Sequence, residues 1–172
     1  MKKKRSMVRM ATHVPLLVQV FEMSEGDVLE MGTGYFSTLI LKWLCEMHDR
    51  TLYSFEGSRK WYDRAMKKPK PFQKLTYVES WDDADIEREW GMAFIDHGPN
   101  SRRHVDVARI ADYADYIVIH DTEPESDKSY RYSRIWDLFK SRYDYRKCLP
   151  WTSVVSNFND LSNIGLNSCD LL

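Results

Sequence analysis

Acidic residues recur in this sequence where short apolar, β-prone stretches stop: Glu30, Glu56, Asp96 and Asp121. His97 follows the third of these acids directly, and His120 precedes the fourth. An ionised carboxylate accepts hydrogen bonds from hydroxyls or ligates a hard cation. A neutral imidazole titrates near physiological pH, so either histidine is a candidate base for removing a proton from an attacking hydroxyl or amine. The plain alternatives stand beside these readings. A lone histidine more often packs than reacts, and an acid at a strand end also caps the turn or helix that follows. Asp96, His97, His120 and Asp121 are therefore the catalytic candidates. If their strands are neighbours, about 4.8 Å apart, the two aspartates converge and need a cation, a proton or a donor between them. Mg²⁺ or Ca²⁺ accepts such oxygens, so Asp96 and Asp121 are also a candidate metal pair.

A second group of residues suits ligand binding. Gly32-Thr33-Gly34 follows the first apolar stretch and opens a helical one. Glycines permit a tight turn and a close backbone approach to a ligand, and the helix start adds unpaired N–H groups. The third glycine of the dinucleotide fingerprint falls on Ser37, and no Walker lysine follows, which argues against NAD, FAD and a phosphate-cradling loop. Glu56 ends the second stretch. It reads either as an acceptor for two ribose hydroxyls or as a cap on the next helix, and the upstream glycine turn favours the ligand.

These residues must be held by alternating elements. Apolar spacing predicts helices over 13–23, 36–47, 59–66, 101–113 and 130–139, and strands over 27–30, 51–55, 75–78, 92–95 and 116–119. Closing strands are expected near 143–148 and 153–156. Such alternation implies a three-layer Rossmann-like α/β domain: a mostly parallel sheet of six or seven strands, the last antiparallel, with helices on both faces. Ligands of such sheets bind outside the carboxyl ends of the strands, where the acids stand.

The 172 residues suit one domain, here residues 12–172 behind a basic tail over residues 1–11. A net charge of −1 gives no global field toward nucleic acid or acidic membranes. Lys2 to Arg9 before the apolar stretch Val14–Phe21 resemble the start of a signal peptide, but no cleavage site follows, and no apolar run approaches the roughly 18 residues of a membrane span. Cys45, Cys148 and Cys169 lack metal-ligand spacing and read as free thiols of a reducing, cytoplasmic setting. Arg102, Arg103 and His104, with Lys128, Arg131 and Arg134, either bind an anionic substrate or form a solvated face. Exposed tryptophans among the six are candidates for a homo-oligomer interface.

Glu30-Met31-Gly32-Thr33-Gly34 resembles the first motif of class I S-adenosylmethionine-dependent methyltransferases, an acid followed by Gly-x-Gly. Glu56 stands where that family places its ribose-binding acid. Met92 to Gly98 and Ile117 to Thr122 resemble the fourth- and fifth-strand motifs of small bacterial members and of the catechol-type O-methyltransferases. The resemblance spans roughly residues 12 to 156. It implies S-adenosylmethionine as cofactor, with Glu30, Gly32 and Gly34 around its methionine part, Glu56 on the ribose and Asp96 also among the cofactor-binding residues. It places Ser80, Trp81 and Asp82 by the adenine. The catechol-type pattern holds a metal with an Asn after the second acid; here that position is Thr122, which leaves an Mg²⁺ site incomplete. His13 stands either near the methionine end or as a helix cap, while His48 and His104 read as surface residues. The expected activity is methyl transfer to an oxygen of a small molecule or sugar. The alternatives are an RNA or protein methyltransferase, another enzyme using the same cofactor for lyase or aminopropyl-transfer chemistry, and a silent cofactor-binding protein.

Overall fold

A computed structural model of the chain describes residues 7–165. Seven strands form one sheet: β1 (Val28–Met31), β2 (Leu52–Glu56), β3 (Gln73–Tyr77), β4 (Trp90–Ile95), β5 (Ala114–His120), β6 (Ser141–Tyr145) and β7 (Thr152–Ser156). Their order is β3-β2-β1-β4-β5-β7-β6. The first five are parallel, and β7 enters antiparallel between β5 and β6, as expected of the closing strand. Every residue of β1, β4 and β7 is buried, because helices or turns cover both faces.

Alternation along the strands sorts the side chains into two cores. On one face Val28, Met92, Phe94, Tyr116 and Val118 pack against α1 (Val14–Met23) and α2 (Ser37–Met47). On the other, Leu29, Met31, Ala93, Ile95, Ile117 and Ile119 pack with Trp81, Trp90 and α4 (Arg103–Arg109). α3 (Arg59–Ala65) lies beside β2 and β3 and buries no residue fully.

Two predicted helices are shorter than their apolar spacing suggests. The stretch 101–113 becomes a 3₁₀ turn, Asn100–Arg102, followed by α4. The stretch 130–139 is not one helix. The four-residue α5 (Asp127–Tyr130) stops where Arg131 takes a left-handed φ of 59°, and two 3₁₀ turns follow. Those turns drop Tyr132 and Ile135 into the core at 2% and 3% exposure. Tertiary packing overrides the helical spacing there.

The tail expectation is also modified: residues 1–6 lie outside the described residues, but Arg9 and Met10 reach the rim of the central cleft. Cys45 and Cys148 are free thiols, and Cys169 lies outside the described residues. Among the described residues no helix is long and apolar enough to cross a membrane.

Candidate active site

The strand order reverses direction between β1 and β4, so the connections to their two outer neighbours leave in opposite directions and open a crevice at the carboxyl ends. A cleft of about 1290 Å³ opens there. Gly32, Gly34, Glu56, Ser80, Trp81, Asp96, His97, His120 and Asp121 all line it. Glu30 and Asp82, expected beside them, do not.

On the β1–β2 side the cleft is built around the glycine turn. Gly32 has φ +88°, and a Cβ there would stand 2.6 Å from the His97 Cα, so only glycine lets the turn cross the end of β4. Glu56 spans the turn: one oxygen accepts the Thr33 N–H at 2.7 Å and the Thr33 hydroxyl at 2.8 Å, and the other accepts the Ser58 N–H at 2.8 Å. The two oxygens of a carboxylate offer about four lone-pair sites, so Glu56 retains room for a further donor from the cleft.

Glu30 is wholly buried, because alternation puts it on the Val28 side beneath α2. There it accepts from the Thr38 hydroxyl at 2.7 Å and the Ser54 hydroxyl at 2.8 Å. Thr38 in turn accepts the Gly34 N–H at 2.8 Å. Glu30 thus anchors the turn from below, and burial pushes its carboxyl up to about 7. Ser80 stands at the rim, and its hydroxyl accepts the Asp82 N–H at 3.3 Å. Trp81 is 7% exposed, packs beneath Gly57 and donates Nε1–H to the Gly98 carbonyl at 2.7 Å. The Asp82 carboxylate turns outward to pair with Arg102 at 2.8 Å.

The β4–β5 side holds the charged cluster. Asp96 and Asp121 do converge, but the cation between them is Arg103. Its guanidinium meets Asp96 at 2.7 Å and Asp121 at 3.0 Å, and its Nε donates to the His97 carbonyl at 2.6 Å. Burial pushes the Asp96 carboxyl up, but Arg103 and His120 outweigh it and hold the group at about 2. Tyr130 donates to Asp121 at 2.8 Å and lays its ring 4.8 Å from Arg103. Asp121 itself sits at φ 60°. A divalent ion shared by Asp96 and Asp121 does not fit, since the guanidinium already occupies that position. The anion-binding reading of Arg102 and Arg103 fails for the same reason: Arg103 is 5% exposed and paired, and Arg102 is bonded to Asp106 and Asp82. Arg131 and Arg134 remain exposed.

The two histidines beside the acids fall on opposite faces. His97 follows Ile95 into the α4 core, 1% exposed, with Nε2 2.9 Å from Asp106 and its ring 4.2 Å from Trp81. Burial lowers its pKa further than Asp106 raises it. His120 follows Val118 to the α1 face, with Nδ1 3.4 Å from Asp96 and Nε2 3.0 Å from the Thr12 hydroxyl. Burial pulls His120 down, but the Asp96 contact and the charges of Asp96 and Asp121 outweigh it and raise its pKa. His13 joins this group rather than capping α1: it makes no side-chain cap bond and packs 4.8 Å from Phe94 and 4.9 Å from His120. His13 is held down at about 4 by burial and by His120, against the pull of the two acids. His104, expected at the surface, is half-buried.

Tyr130, Thr12 and Asp106 were not legible as site residues, and Arg103 was read as an anion-binding candidate rather than as the cation between Asp96 and Asp121. Thr12 meets His120 across the fold, and Asp106, although Arg102 and Arg109 lie at helical spacing from it, meets His97 only through the turn after β4.

No family model and no curated protein matches the sequence. Solved structures do match the fold. The O-methyltransferase TomG from Streptomyces achromogenes, solved in complex with S-adenosylmethionine, is 12% identical with a TM-score of 0.61, over 91% of this chain and 92% of that one. A methyltransferase from Pyrococcus furiosus is 13% identical with a TM-score of 0.58, over 86% and 84% of the two chains. The N-terminal domain of human METTL16, solved with S-adenosylhomocysteine, is 10% identical with a TM-score of 0.58, over 86% and 71%. At such identity the likeness lies in the backbone, and this chain has the three-layer α/β fold of the class I methyltransferases.

Proposed function

We propose that the protein transfers the methyl group of S-adenosylmethionine to an oxygen of a small molecule or sugar. The observation that carries the reading is Glu56, whose carboxylate spans the glycine turn at the cleft with acceptor capacity to spare. That is the chemistry a ribose requires. Gly32 and Gly34 give the methionine part of the cofactor a close approach, Glu30 fixes their turn through Thr38, and Ser80 and Trp81 border the adenine end. The sulfonium is already an activated methyl donor, so the residues on the far side need mainly to hold the acceptor in line with the methyl group. Asp96, Asp121, His120 and His13 face that position, while His97, fixed by Asp106, braces the turn after β4.

The test is incubation of the protein with S-adenosylmethionine and a panel of phenols, catechols and sugars, followed by mass spectrometry. Formation of S-adenosylhomocysteine together with an acceptor heavier by one methylene supports the reading. Methylthioadenosine without a methylated acceptor would instead assign lyase or aminopropyl-transfer chemistry. Cofactor binding with no turnover on any acceptor would assign a silent binding protein.

A second reading, methylation of RNA, is favoured by one observation. A groove of about 580 Å³ beside the glycine turn combines Lys67, Lys68 and Arg64 with Trp43 and Trp61, while Lys70, also on it, is paired with Glu46. Cationic and aromatic side chains of this kind track a single strand. Nucleic-acid binding that falls steeply with salt would support it.

A further inference from the structure

The ring of His13 is 2% exposed, yet neither nitrogen has a hydrogen-bond partner among the described residues. An unpartnered buried polar group costs about 1–3 kcal/mol, and two on one ring point to a partner that the protein does not itself supply. The ring lines the cleft. One nitrogen of His13, one of His120 and one carboxylate oxygen of Asp96 all lie within 4.8 Å of one another. Ligands roughly 2.0–2.2 Å from one tetrahedral ion stand about 3.5 Å apart, so side-chain shifts of about 1 Å close the set.

We propose that His13, His120 and Asp96 bind one borderline first-row divalent cation of the zinc type, with its open coordination position facing the acceptor. Two imidazoles and one carboxylate select such ions over Mg²⁺ or Ca²⁺, which favour all-oxygen sites. Three protein ligands with one position left open is the pattern of a reactive rather than a structural site. The surroundings are those that orient metal ligands. Thr12 Oγ1 stands 3.0 Å from His120 Nε2, and an Nε2–H donated to it directs the Nδ1 lone pair toward Asp96. Arg103 and His120 approach the same Asp96 oxygen, at 2.7 and 3.4 Å, and the other oxygen, which has no protein partner among the described residues, is the one left to a cation after a small rotation of the carboxylate. Asp96 and Asp121 together exceed Arg103 by one negative charge, so a dication and an ionised acceptor oxygen bring the cluster to neutrality.

The inference deepens the methyl-transfer reading and rests on it only for the substrate class, an alcohol or phenol. Beside a dication the acceptor hydroxyl loses its proton to solvent more readily. The oxygen then forms its bond to the methyl carbon as the carbon–sulfur bond breaks. The electron pair of that bond passes to sulfur, leaving S-adenosylhomocysteine.

The experiment titrates Co²⁺ alone into the full chain, without S-adenosylmethionine, and follows its visible absorption. One equivalent is expected to bind and to resist competition by an equal concentration of Mg²⁺. His13→Gln and His120→Gln should each weaken binding by at least about tenfold, while Asp121→Asn retains it. Independently of any variant, the Co²⁺-loaded wild type should show paramagnetically shifted N–H resonances from two imidazoles. No uptake by folded wild type, uptake indifferent to His13→Gln, or shifted signals from fewer than two imidazoles would overturn the site. S-adenosylmethionine binding is measured on the same samples. Cofactor binding without Co²⁺ uptake refutes the metal site alone, and Co²⁺ uptake without cofactor binding refutes the methyl-transfer reading alone.

Discussion

Glu30 makes the stability of this protein depend on pH in a direction that can be worked out. Its carboxyl is wholly buried and is raised by that burial, against the Thr38 and Ser54 hydroxyls, from 4.5 to about 7. A group with a raised folded-state pKa binds its proton more tightly in the folded chain than in the unfolded one. Its contribution to stability is whole below about pH 4.5 and is lost as pH rises through 7. The gap, at roughly 1.4 kcal/mol per pH unit, comes to about 3 kcal/mol. Glu30→Gln keeps the shape and removes the charge, and the Thr38 and Ser54 hydroxyls can rotate to meet an amide. Urea unfolding of both proteins at pH 5, 6, 7 and 8 isolates this residue, because every other titrating group cancels in the difference. The variant should gain on the wild type as pH rises, by up to about 3 kcal/mol between pH 5 and 8. A difference independent of pH would refute the assignment of Glu30 as a buried acid that ionises only near neutrality.

Three further variants test the cleft. Glu56→Ala should weaken S-adenosylmethionine binding by about 1–3 kcal/mol in calorimetry while the far-ultraviolet circular dichroism is kept; unchanged affinity removes Glu56 from the cofactor site. Gly32→Ala forces a Cβ to 2.6 Å from the His97 Cα at φ +88°, so cofactor binding should be lost and unfolding should become easier by roughly 1–3 kcal/mol. Wild-type affinity in that variant would show that the turn does not approach the ligand. Arg103→Leu strips Asp96 and Asp121 of their shared buried cation and should destabilise the fold by roughly 3–5 kcal/mol in denaturant unfolding. A loss below about 1 kcal/mol would place the pair among weak surface bridges.

The strand ends were legible because apolar runs stop at acids, but the switch between β1 and β4 was not, since alternating elements do not fix which strands are neighbours. A finer signal in the same sequence is alternation. Counting from Phe94 and Val118 puts Asp96 and His120 on the α1 face, whereas counting from Ile95 puts His97 on the α4 face. The same count from Val28 buries Glu30 under α2 instead of in the cleft. The role of Arg103 as the cation between two acids was not legible. At the start of a helix it reads as a solvated cation, and its two acids are supplied by separate strands. The stretch 130–139 misled because Tyr132, Ile135 and Leu138 recur at a near-helical interval, while the left-handed turn at Arg131 that breaks it is set by tertiary packing. Asp82 was misplaced because a salt bridge to Arg102 turns it from the cleft.

The most direct measurement is calorimetric titration of the folded wild type with S-adenosylmethionine and with S-adenosylhomocysteine. The account predicts saturable one-to-one binding of both in the micromolar range, about −8 kcal/mol. Absence of binding by either, in protein shown to be folded, would contradict it and leave the cleft without its assigned ligand.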